Sequence, residues 1–156
     1  MTWKRIFAVS CAIVAVVFDR LLKWHSFAAL PGEGAILMPG FEYKYFLNSG
    51  LTFSLFNNPI AIIASLVAAF ALVFWLVWKL RREPSWILSP INLAGVLLVI
   101  LGGASNLFDR FYFRGVIDYL LFFSRSAWNI ADIMILAGIL LLVLKRDSKG
   151  GLSVMR

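Results

Sequence analysis

The sequence has few charged residues and almost none of the residue types that build disulfide or metal frameworks. Charged side chains make up 15% of the 156 residues, against about a quarter in an average soluble domain. There is one cysteine, Cys11, and one histidine, His25. A single cysteine excludes an internal disulfide and a multi-cysteine metal site. His25 has no evident partner, so a histidine-activated serine or cysteine nucleophile is disfavoured.

Long apolar runs are what the sequence has in abundance. Hydrophobic residues make up 62% of the chain, and the mean hydropathy is +0.87. Runs of this kind indicate membrane-spanning helices. We find no internal repeat and predict one all-α membrane domain over residues 1–156. Its four transmembrane helices are expected at about 6–22, 60–78, 86–108 and 130–144.

The first apolar run also resembles a cleavable signal peptide. It has a basic start at residues 4–5, and Ser26 and Ala28 weakly match a cleavage site. The charged residues within 19–23 follow the apolar core too closely for a removed segment, so we expect a retained helix.

The distribution of lysine and arginine predicts the orientation. The N-terminus, the loop between the second and third runs and the C-terminus together carry the net charge of +7, and the other side nets zero. Both termini are therefore expected in the cytoplasm. The charge then anchors the chain to the membrane, and the pI near 10.0 needs no nucleic-acid partner.

Two aspartates lie inside the short first and last runs. Asp19 is 14 residues beyond Arg5, and Asp132 is 13 residues before Lys145. At ~1.5 Å of helix rise per residue both lie ~20 Å from the cytoplasmic interface. They are then ~10 Å below the outer surface of a ~30 Å hydrocarbon core. Ionisable groups at that depth face the protein interior or a cavity and are functional candidates.

Further polar residues of the first and third runs share a helix face with one another. Asp19 and Lys23 are four residues apart and can pair, as a structural ion pair or as part of the chemistry. In the third run, small and polar residues form a stripe in which glycines permit close packing and Asn106 can hydrogen-bond across helices. This stripe contains Gly95, Gly102, Asn106 and Arg110.

The two loops on the outer side have different patterns. In the first loop, residues 24–59, aromatic residues alternate at 41, 43 and 45, which predicts a small β-sheet on the outer membrane face. The second loop, about 111–129, carries Asp118 inside an apolar, β-prone run. Fourteen residues separate Asp118 from Asp132, enough to bring the two carboxylates together.

Two facing aspartates can share one proton, which leaves one as a general base and the other as a general acid. Such a pair can activate water for attack on a peptide carbonyl without a covalent intermediate. From the residues alone, other readings stay open. Asn129 and Asp132 also fit a helix cap, and Asp118 also fits an exposed turn. A serine–lysine pair would use Lys23 with Ser26, Ser49 or Ser105.

Five short motifs occur in order on this four-helix frame: "DRLLK" (19–23), "NSGLTFSLF" (48–56), "GGASNLFDR" (102–110), "GVID" (115–118) and "WNIAD" (128–132). Together they make the chain resemble the lipoprotein signal peptidases (signal peptidase II), membrane aspartic proteases of bacteria. The resemblance covers nearly the whole chain.

The resemblance implies a catalytic dyad of Asp118 and Asp132. It implies that the positions shaping the site and holding substrate are Asp19, Lys23, Asn48, Gly50, Gly102, Asn106, Arg110, Asn129 and Ala131. Members cleave a prolipoprotein just before the cysteine that carries a diacylglyceryl group, need no metal or organic cofactor, and are inhibited by globomycin-type peptides. The small outer sheet of the family is thought to cradle the substrate.

Four positions depart from the family pattern: Arg20, Thr52, Ser105 and Trp128. Thr52 and Ser105 are expected to narrow the pocket, which bears on substrate preference and inhibitor sensitivity more than on the reaction.

We therefore expect a monomeric aspartic endopeptidase of the bacterial inner membrane, whose site faces outward and whose lipid-bearing substrate enters sideways from the bilayer. The same buried acids would also suit a small proton-coupled transporter or channel. A non-catalytic lipoprotein-binding relative is the third possibility.

Overall fold

The computed structural model describes residues 2–28, 34–48, 71–123 except 73, and 125–144. In these ranges the chain is mostly helical with one small sheet. The helices are α1 (Trp3–Ala28), a described helical part of α2 over residues 71–82, a 3₁₀ turn (Pro84–Leu88), α3 (Pro90–Phe113) and α4 (Ile130–Leu144). The strands are β1 (Gly34–Met38), β2 (Phe41–Asn48), β3 (Val116–Phe122) and β4 (Ser126–Trp128).

The bounds of α1 and α3 differ from the predicted apolar runs at both ends, and those of α4 agree. α4 coincides with the predicted 130–144, whereas α1 extends past 22 because its polar last turns are satisfied inside the bundle. α3 begins at Pro90, where proline suits the first helical position. It ends at Phe113, before Arg114 adopts a left-handed conformation with φ 58°. Most of the run predicted at 60–78 lies outside the described residues.

Helices α3 and α4 pack closely because glycines face the opposing backbone. A Cβ atom added to Gly102 would lie 2.6 Å from the Ala131 carbonyl oxygen, and one added to Gly138 would lie 2.7 Å from the Gly95 carbonyl oxygen. Real Cβ atoms do not approach an oxygen so closely, so these contacts need glycine. The small-residue stripe predicted on α3 is therefore a helix-packing surface.

The surface of the bundle is strongly apolar. Among the described residues, α3 is long and apolar enough to cross a membrane, and Ile130–Val143 of α4 is a shorter apolar helix. Large side chains such as Phe7 on α1 and Val143 on α4 are 65% and 70% exposed. Exposed apolar surface of this extent marks a face that contacts lipid or a partner.

The sheet has the order β1-β2-β3-β4, and every neighbouring pair is antiparallel. The predicted alternation at residues 41–45 does form a strand, β2. The sheet expected from the first loop forms there as β1 and β2, but it is larger than expected, because β3 and β4 of the second loop extend it. The β2–β3 register pairs Asn48 with Val116 and Phe46 with Asp118. Pairing with β2 thus brings Asn48 close to the strand that carries Asp118.

The glycine contact between α3 and α4 generates a stability prediction. Gly102→Ala forces a methyl group against a backbone carbonyl and should lower the free energy of unfolding by ~1–3 kcal/mol. Gly103→Ala is the matched control, since its added Cβ would meet nothing within 4 Å. Thermal unfolding in detergent compares the two. Equal unfolding midpoints would show that close packing at Gly102 is not required.

Candidate active site

One asparagine side chain links the two aspartates. Asp118 lies on β3, Asp132 lies in the first turn of α4, and Asn129 lies directly before that helix. The Asn129 Nδ2 group donates to Asp118 Oδ1 at 2.6 Å, and its Oδ1 atom accepts the Asp132 backbone N–H at 2.9 Å. Asn129 and Asp118 are almost fully buried. The Asn129 side chain therefore fixes the Asp118 carboxylate directly and positions Asp132 through the Asp132 backbone N–H.

Two further asparagines each bind one more carboxylate oxygen. Asn48 Nδ2 on β2 donates to Asp118 Oδ2 at 3.0 Å. Asn106 Nδ2 on α3 donates to Asp132 Oδ1 at 2.7 Å. Neutral amides orient both carboxyl groups without adding a charge to either.

The environment of Asp118 favours its protonated form. Burial, the largest cause, and the charge of Asp132 raise the pKa of Asp118 from 3.8 to about 7. Hydrogen bonds from Asn48 and Asn129 and the charge of Lys23 lower it, and they do not cancel the rise. A carboxyl group with this pKa retains a proton near neutral pH, as a shared-proton pair requires.

Side chains from other elements bind the first N–H groups of α4. The Ile130 N–H donates to the Tyr119 hydroxyl at 3.0 Å, and the Ala131 N–H donates to Asp19 Oδ1 at 3.1 Å. Tyr119 belongs to β3 and Asp19 to α1. These donors have no partner within the helix itself, so α1 and β3 both anchor the turn that carries Asp132.

The helix cap predicted at Asn129 and Asp132 also forms. Asn129 Oδ1 accepts the Asp132 N–H, and Asp132 Oδ2 faces the Asn129 N–H at 3.4 Å. This reciprocal arrangement is a capping box. The cap leaves Asp132 Oδ1 bound to Asn106, so capping does not exclude Asp132 from a pair with Asp118.

A buried lysine lies behind the carboxylate pair. Lys23 Nζ is 3.1 Å from Asp19 Oδ2, 2.8 Å from Asp109 Oδ2 and 2.8 Å from Asn106 Oδ1. The predicted pairing of Asp19 with Lys23 is confirmed. Since Asn106 also holds Asp132, the lysine and the aspartate share one orienting side chain.

The contacts of Lys23 weigh against a serine–lysine pair. Its Nζ atom contacts two carboxylates and one amide oxygen, partners that suit a hydrogen-bond donor rather than a base for serine. Ser105 Oγ is 3.5 Å from Lys23 Nζ and donates instead to Asp19 Oδ2 at 2.6 Å. Ser26 Oγ donates to the Lys23 carbonyl oxygen, and Ser49 lies outside the described residues.

Asp109 is a site residue that the sequence interpretation did not assign. It is fully buried. Its Oδ1 atom accepts a hydrogen bond from Arg20 Nη2 at 2.5 Å, and its Oδ2 atom accepts one from the Ile117 N–H at 3.3 Å. Arg110, the neighbour that was assigned, is at an exposed position. The "FDR" motif contained the signal, but it did not show which of its two charged residues points inward.

The structure brings most of the other assigned residues into one network. Those with direct contacts to it are Asp19, Lys23, Asn48, Asn106, Asn129 and Ala131. Gly102 packs against the backbone of Ala131, and Gly50 and Thr52 lie outside the described residues. Tyr119 joins the network without having been assigned. Among the described residues, no group of three or more His, Cys, Asp or Glu is arranged to hold a metal ion.

The buried ion pairs predict a large effect at Asp109. Asp109→Asn leaves Lys23 and Arg20 with one carboxylate fewer, and loss of one partner of a buried pair costs ~3–5 kcal/mol. Glu83→Gln is the control. It breaks the Lys79–Glu83 pair, whose acid is 55% exposed, and such pairs contribute at most ~1 kcal/mol. Thermal unfolding should show a large loss only for Asp109→Asn, and similar small losses would contradict the prediction.

Comparison with known proteins agrees with this site. The family model described as signal peptidase (SPase) II matches residues 11–146. A lipoprotein signal peptidase of Bartonella bacilliformis is 34% identical over 147 residues, covering 88% of this chain and 86% of that protein. One of Symbiobacterium thermophilum is 34% identical over 143 residues, covering 88% and 91%.

The fold has a solved counterpart as well. The structure of a bacterial membrane enzyme superposes with a TM-score of 0.70 at 18% identity, covering 96% of this chain and 94% of that chain. The family match over residues 11–146 and the relatives at 34% identity decide the assignment. The chain belongs to the signal peptidase II family.

Proposed function

We propose that this peptidase hydrolyses the peptide bond through water held between Asp118 and Asp132. The observation that carries the proposal is the Asn129 bridge, which ties both residues to one buried amide. The position of Asp132 at the start of a helix and the pKa of Asp118 near 7 supply the rest.

The proposed reaction needs one proton on the pair. The ionised carboxylate takes a proton from water while the water oxygen attacks the carbonyl carbon. The protonated carboxyl group donates its proton to the carbonyl oxygen. As the C–N bond breaks, one hydroxyl of the tetrahedral intermediate returns its proton to the carboxylate that had donated it, and the other carboxyl group protonates the leaving amine, so the pair again holds one proton. The products are a carboxylic acid and an amine, and no acyl-enzyme forms.

The substrate is a lipoprotein precursor, as the family and its lipoprotein signal peptidase relatives indicate. We propose cleavage just before a cysteine that carries diacylglyceryl. Exposed apolar side chains of β1, Ile36 and Met38 among them, would contact lipid beside the scissile bond. The relatives are peptidases, so a transporter is not supported.

The proposed placement has four transmembrane helices, both termini in the cytoplasm, and the sheet and active site toward the outer face. Basic residues in the last turn of α2 support this orientation: Lys79, Arg81 and Arg82 are balanced by Glu83 alone. We propose that the enzyme acts as a monomer and receives its substrate laterally from the bilayer, without metal or organic cofactor.

Asp118→Asn and Asp132→Asn test the dyad. Each removes the acid or base function while keeping the side chain's shape, so cleavage of a diacylated prolipoprotein peptide should fall by at least ~10²–10⁴-fold. Glu83→Gln, a matched change at an exposed acid, should retain wild-type activity. Folding is checked by thermal unfolding. Wild-type turnover in either aspartate variant would overturn the assignment.

The pH dependence provides a separate prediction. Above pH 7 the proton of Asp118 is lost, so kcat should fall as the pH rises through about 7. Asn48→Ala removes a hydrogen bond that lowers the pKa of Asp118. The pKa then rises, and the fall in kcat should move to higher pH.

Asn92→Ala is the control for this shift. Asn92 is also buried, but it donates to the Trp86 carbonyl oxygen at the opposite end of α3. Its basic limb should match the wild type. An unchanged or lower midpoint in Asn48→Ala would contradict the role of Asn48.

A further inference from the structure

We infer that Tyr119 is a positioning residue for hydrolysis, whose hydroxyl holds the first turn of α4 and thereby sets the place of Asp132 relative to Asp118. The inference rests on the proposed dyad.

The contacts of the hydroxyl define this role. Tyr119 is fully buried. Its hydroxyl donates to Asp19 Oδ1 at 3.0 Å and accepts the Ile130 N–H at 3.0 Å. Asp19 Oδ1 in turn accepts the Ala131 N–H at 3.1 Å. A single phenol thus connects the first two N–H groups of α4, one directly and one through Asp19.

The strand geometry places this hydroxyl on the same element as one catalytic carboxylate. Neighbouring residues of a strand point to opposite faces, so Asp118 and Tyr119 leave β3 in different directions. Asp118 reaches Asn48 and Asn129, while Tyr119 reaches α1 and the start of α4. β3 therefore carries one member of the pair and also holds the turn that carries the other.

The charge state of Tyr119 suits this role. Burial, and next the negative charge of Asp19, raise the pKa of Tyr119 far above its usual value. The group therefore stays a neutral phenol that donates to the carboxylate and accepts the amide. The Tyr43 ring, at 5.9 Å between centroids, packs beside it.

Tyr119→Phe removes the hydroxyl and keeps the ring. The Ile130 N–H then loses its acceptor, Asp19 loses one donor, and the first turn of α4 is less constrained. Because ångström-scale misplacement of a catalytic group costs up to ~10²-fold, we expect kcat to fall roughly 10- to 100-fold. The contacts to substrate are unchanged, so KM should stay within about twofold.

Tyr43→Phe is the matched control. The Tyr43 hydroxyl donates to the Leu22 carbonyl oxygen at 3.1 Å and lies 2.9 Å from His25 Nδ1. It therefore ties β2 to α1 and does not reach α4 among the described contacts. Both variants lose one phenolic hydrogen-bond pair. Tyr43→Phe should keep the wild-type kcat and lower the unfolding midpoint less than Tyr119→Phe does, because Tyr43 is only partly buried.

Incorporating 4-aminophenylalanine at position 119 is a rescue experiment. Its amine restores a donor toward Asp19, so kcat should lie above that of Tyr119→Phe. If Tyr119→Phe accumulates too little for kinetics, 4-aminophenylalanine at position 119 is compared with 4-aminophenylalanine at position 43. Only the variant at position 119 should lose kcat, because an aniline nitrogen is a poor acceptor for the Ile130 N–H. Equal kcat at the two positions would overturn the inference.

The kinetic outcomes separate this inference from the dyad itself. Asp118→Asn and Asp132→Asn are assayed beside Tyr119→Phe with the same diacylated peptide. If the aspartate variants are inactive and Tyr119→Phe has wild-type kcat, only the positioning role fails. If an aspartate variant is active, the dyad fails. A kcat loss shared equally by Tyr43→Phe and Tyr119→Phe would reduce Tyr119 to a structural contact.

Discussion

The hydrogen bonds to the first turn of α4 are the constraint on which the site depends. A helix that begins inside a protein must find acceptors for its first N–H groups, because a buried donor without an acceptor is costly. Here the acceptors are Tyr119, Asp19 and Asn129. They come from β3, from α1 and from the residue before the helix. Satisfying the backbone therefore positions Asp132, and the atoms that stabilise the helix start are the ones on which the proposed catalysis depends.

The buried charges behind this turn follow from the same requirement. Asp19 can accept from α4 as an anion only if its charge is compensated, and Lys23 at 3.1 Å provides that compensation. Lys23 then also contacts Asp109, which pairs with Arg20. Two acids and two bases balance one another, and no buried side-chain nitrogen or oxygen in the described ranges lacks a partner. This pairing of the neighbouring charges is compatible with the proton that Asp118 and Asp132 are proposed to share.

Much of this arrangement could be predicted from the sequence where the pattern is local. The apolar run at 130–144 predicts α4, and the four-residue spacing predicts the Asp19–Lys23 pair. The length of the second loop allows Asp118 to reach Asp132. The sequence did not predict features that depend on the orientation of a side chain or on pairing between distant segments. Asp109 and Arg110 are adjacent in sequence but ~100° apart around the helix, so the motif does not show which is buried. In the sequence, Tyr119 is indistinguishable from the other apolar residues of its strand. Its hydroxyl finds hydrogen-bond partners only when α1 and α4 pack beside it. The sheet joins both loops because strand pairing is not encoded in either loop alone.

The central claim is that Asp118 and Asp132 form one coupled pair. The most direct measurement is a titration of their carboxyl carbons by ¹³C NMR in detergent, with the two signals assigned by Asp118→Asn and Asp132→Asn. The account predicts that both signals respond to a step at a pH of about 7, as coupled sites do. Asp132→Asn should move the Asp118 step to lower pH without abolishing it, because burial, the larger cause of the raised pKa, remains. Two independent titrations, each at the ordinary aspartate value of about 3.9, would contradict it.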